Sequence, residues 1–147
     1  MKTKNKKLTT QGTIIGGGPA GLLLSQMLMK ENIESIIIES KSRDHVLSRI
    51  RAGVIENGSV EMLKNVGVGD RLLKEGSKHS GFIISSGNTS FRIDLTLANK
   101  KSVYVYGQTE ITKDLYEARD KSGVTIFHSV NNVSIHCLNT QKPLVSF

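Results

Sequence analysis

Apolar positions along this chain fall into short unbroken runs and into helical spacings, and the two kinds alternate. Thr13–Ile15 is a short run that ends in Gly16-Gly17-Gly18. Leu22, Leu23, Leu24, Met27 and Leu28 follow, apolar on nearly every side, the pattern of a helix buried against a sheet. Asn32 marks its stop. Ser35–Glu39 carries Ile36, Ile37 and Ile38 in succession. A continuous β-branched run predicts a strand covered on both faces, as in a parallel sheet. The result is β-α-β in under 30 residues.

A polar loop is expected from Ser40. Ser59 is placed to cap a short helix carrying Val60, Leu63 and Val66, which Gly67 ends. Asp70 is placed to cap another, with Leu72 and Leu73 inside and Gly76 as its stop. Phe82–Ser85 and Phe91–Leu95 read as strands joined through Gly87-Asn88, a hairpin signal. Val103–Tyr106 is a further strand. Ile111, Leu115 and Ala118 recur at helical spacing and predict a helix that Gly123 ends. Val124–Phe127, Val133–Leu138 and Leu144–Phe147 complete the strands. No internal repeat or interdomain linker is visible.

Composition narrows the class. Hydrophobic residues are 37% and charged residues 22%, too mixed for a disordered acidic chain or a membrane-spanning one. Twenty basic residues against 13 acidic ones give +7, but Lys2, Lys4, Lys6 and Lys7 account for four of them. Residues 1–12 are therefore expected to form a basic flexible N-terminus. Thr9, Thr10 and Gln11 interrupt any signal-like apolar core, so a cytoplasmic chain is expected. Aromatics are only 5%, which offers little for bases to stack on, so no nucleic-acid partner is expected. Cys137 alone excludes an internal disulfide framework and is expected as a small buried hydrophobe in a strand. His45, His128 and His136 lack metal-ligand spacing, and no metal site is expected.

Gly16-x-Gly18-x-x-Gly21 sits between the first strand and first helix, and Glu39 ends the next strand, 23 residues beyond Gly16. In that context the three glycines form a dinucleotide fingerprint. Gly16 permits the tight turn, Gly18 lets backbone approach a pyrophosphate, and Gly21 lets helix and strand pack closely. The helix N-terminus offers N–H groups and partial positive charge to phosphates. Glu39 can accept two hydrogen bonds from an adenosine ribose. Its charge disfavours a 2′-phosphate, so FAD or NAD is preferred over NADP at this position. Leu47–Val54 then places Arg49 and Arg51 two residues apart in a loop, and arginine suits diphosphates through its planar fork.

The segments Gly16–Gly21, Ser48–Val54 and Val105–Glu110 with Thr112 are similar to the N-terminal part of the flavin-dependent aromatic hydroxylases, in particular those acting on 4-hydroxybenzoate. The resemblance runs from about Thr13 to Phe147. It implies an α/β fold: a Rossmann-like FAD-binding βαβ unit with additional strands and helices, incomplete relative to the family fold. Residues 13–147 would then be the N-terminal part of an FAD-binding domain, with the substrate domain absent. It also implies FAD contacts at Gly16, Gly18, Ala20, Gly21, Glu39, the loop Arg49, Ile50, Arg51, Ala52, Gly53 and Val54, and Gln108. Arg51 would lie near the pyrophosphate and Arg49 nearer the approach of NADPH. Gln108 is also placed to begin the helix after it.

The resemblance assigns His79 to a proton relay between a substrate phenol and solvent, a task that suits a side chain titrating near neutrality. The implied reaction is ortho-hydroxylation of 4-hydroxybenzoate to 3,4-dihydroxybenzoate, with FAD as cofactor and NADPH (or NADH) as reductant. Ser40 and His45 differ from the residues common in the family, which leaves the choice of nicotinamide open. The partner is a small aromatic substrate of the full-length enzyme, with a homodimer left open and no membrane. The isolated chain is expected to be inactive. Two other readings stand beside this one: an NAD-dependent dehydrogenase and a stand-alone dinucleotide-binding module.

Overall fold

The structure, a computed structural model, describes residues 7–147, so Lys2, Lys4 and Lys6 of the expected basic segment lie outside the described residues. Its elements are β1 (Gly12–Ile15), α1 (Pro19–Lys30), β2 (Ser35–Ile38), α2 (Arg43–Ser48), β3 (Val54–Glu56), α3 (Asn57–Asn65), α4 (Asp70–Glu75), β4 (Ser77–His79), β5 (Gly81–Ser86), β6 (Thr89–Asp94), α5 (Leu95–Asn99), β7 (Val103–Val105), α6 (Gln108–Ser122), β8 (Ile126–Phe127), β9 (Ser134–His136) and β10 (Leu144–Ser146). They divide into two compact units: Met1–Val46 with Arg119–Phe147, and Leu47–Ala118.

The first unit contains the predicted β-α-β. β1 and β2 pair in parallel, with Ile14 opposite Ile37, and β2 also pairs in parallel with β8, with Ile38 opposite Phe127. β2 is thus the central strand, and Ile37 and Ile38 are buried as the β-branched run predicts. The helix departs from expectation. Leu22 is buried, but so are Ser25 and Gln26, while Leu24 and Met27 are exposed. One stripe of a helix faces a sheet, and Leu22, Ser25 and Gln26 share it by their i, i+3, i+4 spacing.

The buried polar groups on that stripe have partners. The Ser25 and Ser35 hydroxyls lie 2.6 Å apart. Arg119 Nη1 donates to the Ser25 carbonyl at 3.3 Å and to Gln26 Oε1 at 3.4 Å. Arg119 itself is fully buried, and burial pushes its pKa down. α1 ends two residues before Asn32, whose φ of 58° turns the chain toward β2, in line with the stop read from the sequence.

Two expectations fail in this unit. The stretch after Ser40 is not all loop, because Arg43–Ser48 is helical. Ser42 Oγ accepts from the His45 N–H at 3.2 Å, and Arg43 forks onto Asp120 at 3.0 and 2.6 Å. A helix held by such polar contacts shows no apolar period to read. Cys137 is neither buried nor in a strand. It is exposed, with φ 55°, in the turn after β9, where its carbonyl accepts from the N–H and hydroxyl of Thr140. β9 and β10 pair antiparallel, and the Phe127 and Phe147 rings meet at a tilt of 47° with 5.3 Å between centroids.

The second unit holds a three-stranded antiparallel sheet in the order β3-β7-β4 and the separate hairpin β5–β6. The hairpin turns at Gly87, whose φ of 56° a side chain would disfavour. Phe91–Leu95 is one residue too long as a strand, because the Asp94 carboxylate accepts from the Thr96 and Leu97 N–H groups and starts α5 at Leu95. Ser59 and Asp70 are not caps: α3 and α4 begin at Asn57 and Asp70 behind Glu56 and Gly69, neither supplying a side-chain cap. The core here comprises Ile55, Val60, Leu63, Leu72 and Tyr106, with Leu115 and Tyr116 of α6. Among the described residues, no helix is long and apolar enough to cross a membrane.

Candidate functional site

The glycine turn is built by close approach. Gly16 has φ 117°, a conformation that disfavours any side chain, and its N–H donates to the Ile38 carbonyl at 2.8 Å. At Gly21 an added Cβ would stand 2.0 Å from the Gly16 carbonyl oxygen and 3.2 Å from Ile14 Cγ2. Only glycine lets α1 start this close to the end of β1. Gly18 is different: an added Cβ there meets nothing within 4 Å, so the space in front of it is open. Gly18 is the N-cap of α1, yet no side chain caps the helix, Pro19 occupies its first turn, and no acidic residue does. Ala20 lies exposed beside it. A helix start with no side-chain cap and no acidic residue in its first turn, facing open space, fits a phosphate.

Glu39 follows β2 and reaches back to this turn. Its Oε2 accepts from the Gly17 N–H at 2.7 Å, and its Oε1 from the Lys41 N–H at 2.8 Å and the Ser40 hydroxyl at 3.2 Å. Burial pushes the carboxyl pKa up. The N–H bonds from Gly17 and Lys41, the Ser40 hydroxyl and the charge of His128 outweigh that, so it is held below the usual carboxylate range. A carboxylate has about four acceptor positions, and three are used internally.

Arg49, Ile50, Arg51, Ala52 and Gly53 form the irregular segment between α2 and β3, and Val54 opens β3. Arg49, Arg51 and Ala52 are exposed, and Ile50 is 90% exposed. Gly53 is packed: its carbonyl accepts from the Tyr106 N–H at 2.7 Å, and an added Cβ would lie 2.9 Å from the Tyr106 carbonyl oxygen. Gln108 is half-buried and is the first residue of α6. Its carbonyl accepts from the Thr112 hydroxyl at 2.8 Å, and the Gly107 carbonyl accepts from the Glu110 and Ile111 N–H groups.

His79 is exposed at the end of β4, opposite Val103. Val54 lies on the other outer strand of the same sheet, opposite Val105. The fold thus joins Gly16–Gly21 with Glu39 in the first unit, and Arg49–Val54, His79 and Gln108 belong to the second.

One group of side chains has no counterpart in the motif reading. Arg71 of α4 donates from Nε to Glu75 at 3.1 Å, from Nη1 to Asp114 at 2.5 Å, and from Nη2 to Glu110. The Tyr106 hydroxyl donates to the other oxygen of Asp114 at 2.7 Å. Burial raises the Tyr106 pKa, and the Asp114 carboxylate raises it further. The only signal in the sequence is the i, i+4 spacing of Arg71 with Glu75 and of Glu110 with Asp114, which is common on helices.

Comparison with known proteins shows the family. The FAD binding domain family matches residues 9–141. The chain is 49% identical over 130 residues to the p-hydroxybenzoate hydroxylase of Acinetobacter baylyi, covering 88% of this chain and 32% of that protein. It is 26% identical over 106 residues to the pentachlorophenol 4-monooxygenase of Sphingobium chlorophenolicum, covering 69% of this chain and 19% of that one. In fold it matches p-nitrophenol 4-monooxygenase PnpA from Pseudomonas putida with a TM-score of 0.74 at 22% identity, over 88% of this chain and 34% of that one. The probable FAD-dependent monooxygenase of Pseudomonas aeruginosa matches with a TM-score of 0.72 at 11% identity, over 87% and 34%. The chain spans about a third of the first of these relatives. The resemblance read from the motifs and the expected α/β fold are both borne out, and the chain belongs to the FAD binding domain family.

Proposed function

We propose that this chain provides the dinucleotide-binding part of an FAD-dependent aromatic-ring monooxygenase that hydroxylates 4-hydroxybenzoate, with NADPH or NADH and O₂ as co-substrates. The observation that carries the reading is the 49% identity to a p-hydroxybenzoate hydroxylase over 130 residues. The open space at Gly18 and the start of α1 support the cofactor class.

In this reading Gly16, Gly18, Ala20 and Gly21 accommodate the pyrophosphate, and the α1 N–H groups offset its charge. Glu39 orients a ribose hydroxyl while holding the turn through Gly17. Arg49 and Arg51, with Ile50, Ala52, Gly53 and Val54, and Gln108 contact the nucleotide. His79 passes a proton between the substrate phenol and solvent. Bound FAD supplies the redox and oxygen chemistry, while the protein orients the reactants and excludes water.

The test is a titration of the ¹⁵N-labelled chain with FAD, followed by amide shifts. Movement at Gly16, Gly18, Gly21, Glu39, Arg51 and Gln108 below about 1 mM is expected. An Arg51→Ala chain should bind about tenfold more weakly. No movement at the glycine turn up to that concentration would remove the flavin reading.

A further inference from the structure

We propose that Tyr106, held through its hydroxyl by Asp114, is the positioning residue that sets the Arg49–Gly53 loop and Gln108 for the nucleotide. This role rests on the flavin reading above. Tyr106 is bonded in two directions. Its backbone N–H donates to the Gly53 carbonyl at 2.7 Å, at the end of the arginine loop. Its hydroxyl donates to Asp114 Oδ2 at 2.7 Å, two turns into α6. Gln108 is only two residues further along the chain. A single residue therefore links the loop to the helix that Gln108 begins.

The anchor point is itself fixed. The Asp114 side chain is only 9% exposed, and its other oxygen takes the bond from Arg71 Nη1 at 2.5 Å. Glu110 and Asp114, one turn apart, would repel each other without an intervening cation. Arg71 bonds both of them, and its guanidinium carbon lies 5.7 Å from the centroid of the Tyr106 ring. The loop end has no slack, since a Cβ on Gly53 would lie 2.9 Å from the Tyr106 carbonyl oxygen and 3.0 Å from Gly107 Cα. The arginines are exposed. The end of their loop nearest β3 is fixed at Gly53, and through it by Tyr106 and Asp114.

Tyr106→Phe removes the hydroxyl and keeps the ring over Arg71. Asp114→Asn removes the charge at the same point and serves if the first variant folds poorly. Amide hydrogen exchange on the 147-residue chain reads the clamp directly. Exchange of the Tyr106 N–H should speed up about tenfold in both variants, while Ile37 in the first unit stays within about twofold. In the FAD titration, shifts at the glycine turn should persist in the variants, and those at Arg51 and Gly53 should shrink by about half or more. A role confined to stability would lower the melting temperature and leave that split absent. Unchanged Tyr106 exchange, or unchanged FAD-induced shifts at Arg51 and Gly53, overturns the proposal. If FAD moves neither set in the wild-type chain, the flavin reading fails, and the exchange measurement still decides whether the clamp exists.

Discussion

The three fingerprint glycines do different work, and substitution separates them. At Gly21 an added methyl falls on the Gly16 carbonyl, a backbone atom that cannot rotate away. Gly21→Ala should cost about 3 kcal/mol or more, read as a lower denaturant midpoint. Gly18→Ala meets open space and should change stability by less than about 0.5 kcal/mol, while weakening FAD binding. If both variants unfold alike, the division between packing and ligand access is wrong. Glu39 combines the two kinds of work. Its folded pKa is depressed, so its contribution is present above the unfolded value near 4.3 and is lost as pH falls through the lower folded value. Glu39→Gln should therefore be less stable than wild type by about 1 kcal/mol at neutral pH. The gap should narrow below about pH 4. Acid denaturation of the two proteins in parallel measures this.

At the scale of elements, Arg71 of α4 and Asp114 of α6 meet at Tyr106, the residue that follows β7. Tyr106 keeps its proton more strongly folded than unfolded, because burial and the Asp114 carboxylate both disfavour the phenolate. Its contribution is fully present below the unfolded pKa of about 10 and declines as pH rises above it. Wild type should lose stability above about pH 10 more steeply than Tyr106→Phe, as followed by thermal melts across an alkaline series. Parallel curves for the two proteins would contradict the assignment. Elements also show where pattern reading stops. Ile36, Ile37 and Ile38 announced β2 because a strand buried on both faces must be apolar throughout. α2 announced nothing, because its polar residues and the Arg43–Asp120 fork leave no period. α1 was found, but its buried face was not, since it carries Ser25 and Gln26 in place of Leu24 and Met27.

For the molecule as a whole, the span relative to its relatives matters most. The chain matches 32% of the Acinetobacter hydroxylase. The 147-residue polypeptide alone should bind FAD weakly. It should also show no 4-hydroxybenzoate-stimulated NADPH oxidation above a protein-free control. Stoichiometric flavin retained through gel filtration, or substrate-dependent turnover, would refute this.

The sequence by itself determined the class of this protein. Gly16, Gly18, Gly21 and Glu39 act over short range within one β-α-β, so their spacing alone carries the geometry, and the arginine and Tyr-Gly-Gln segments carry the family. Tertiary structure decided which of these residues were already engaged. Glu39 spends three acceptor positions within the turn, Gly53 is fixed by Tyr106, and Tyr106 depends on Asp114 and Arg71, which are 43 residues apart. Contacts at such separation depend on how helices and strands pack, and no local period records that.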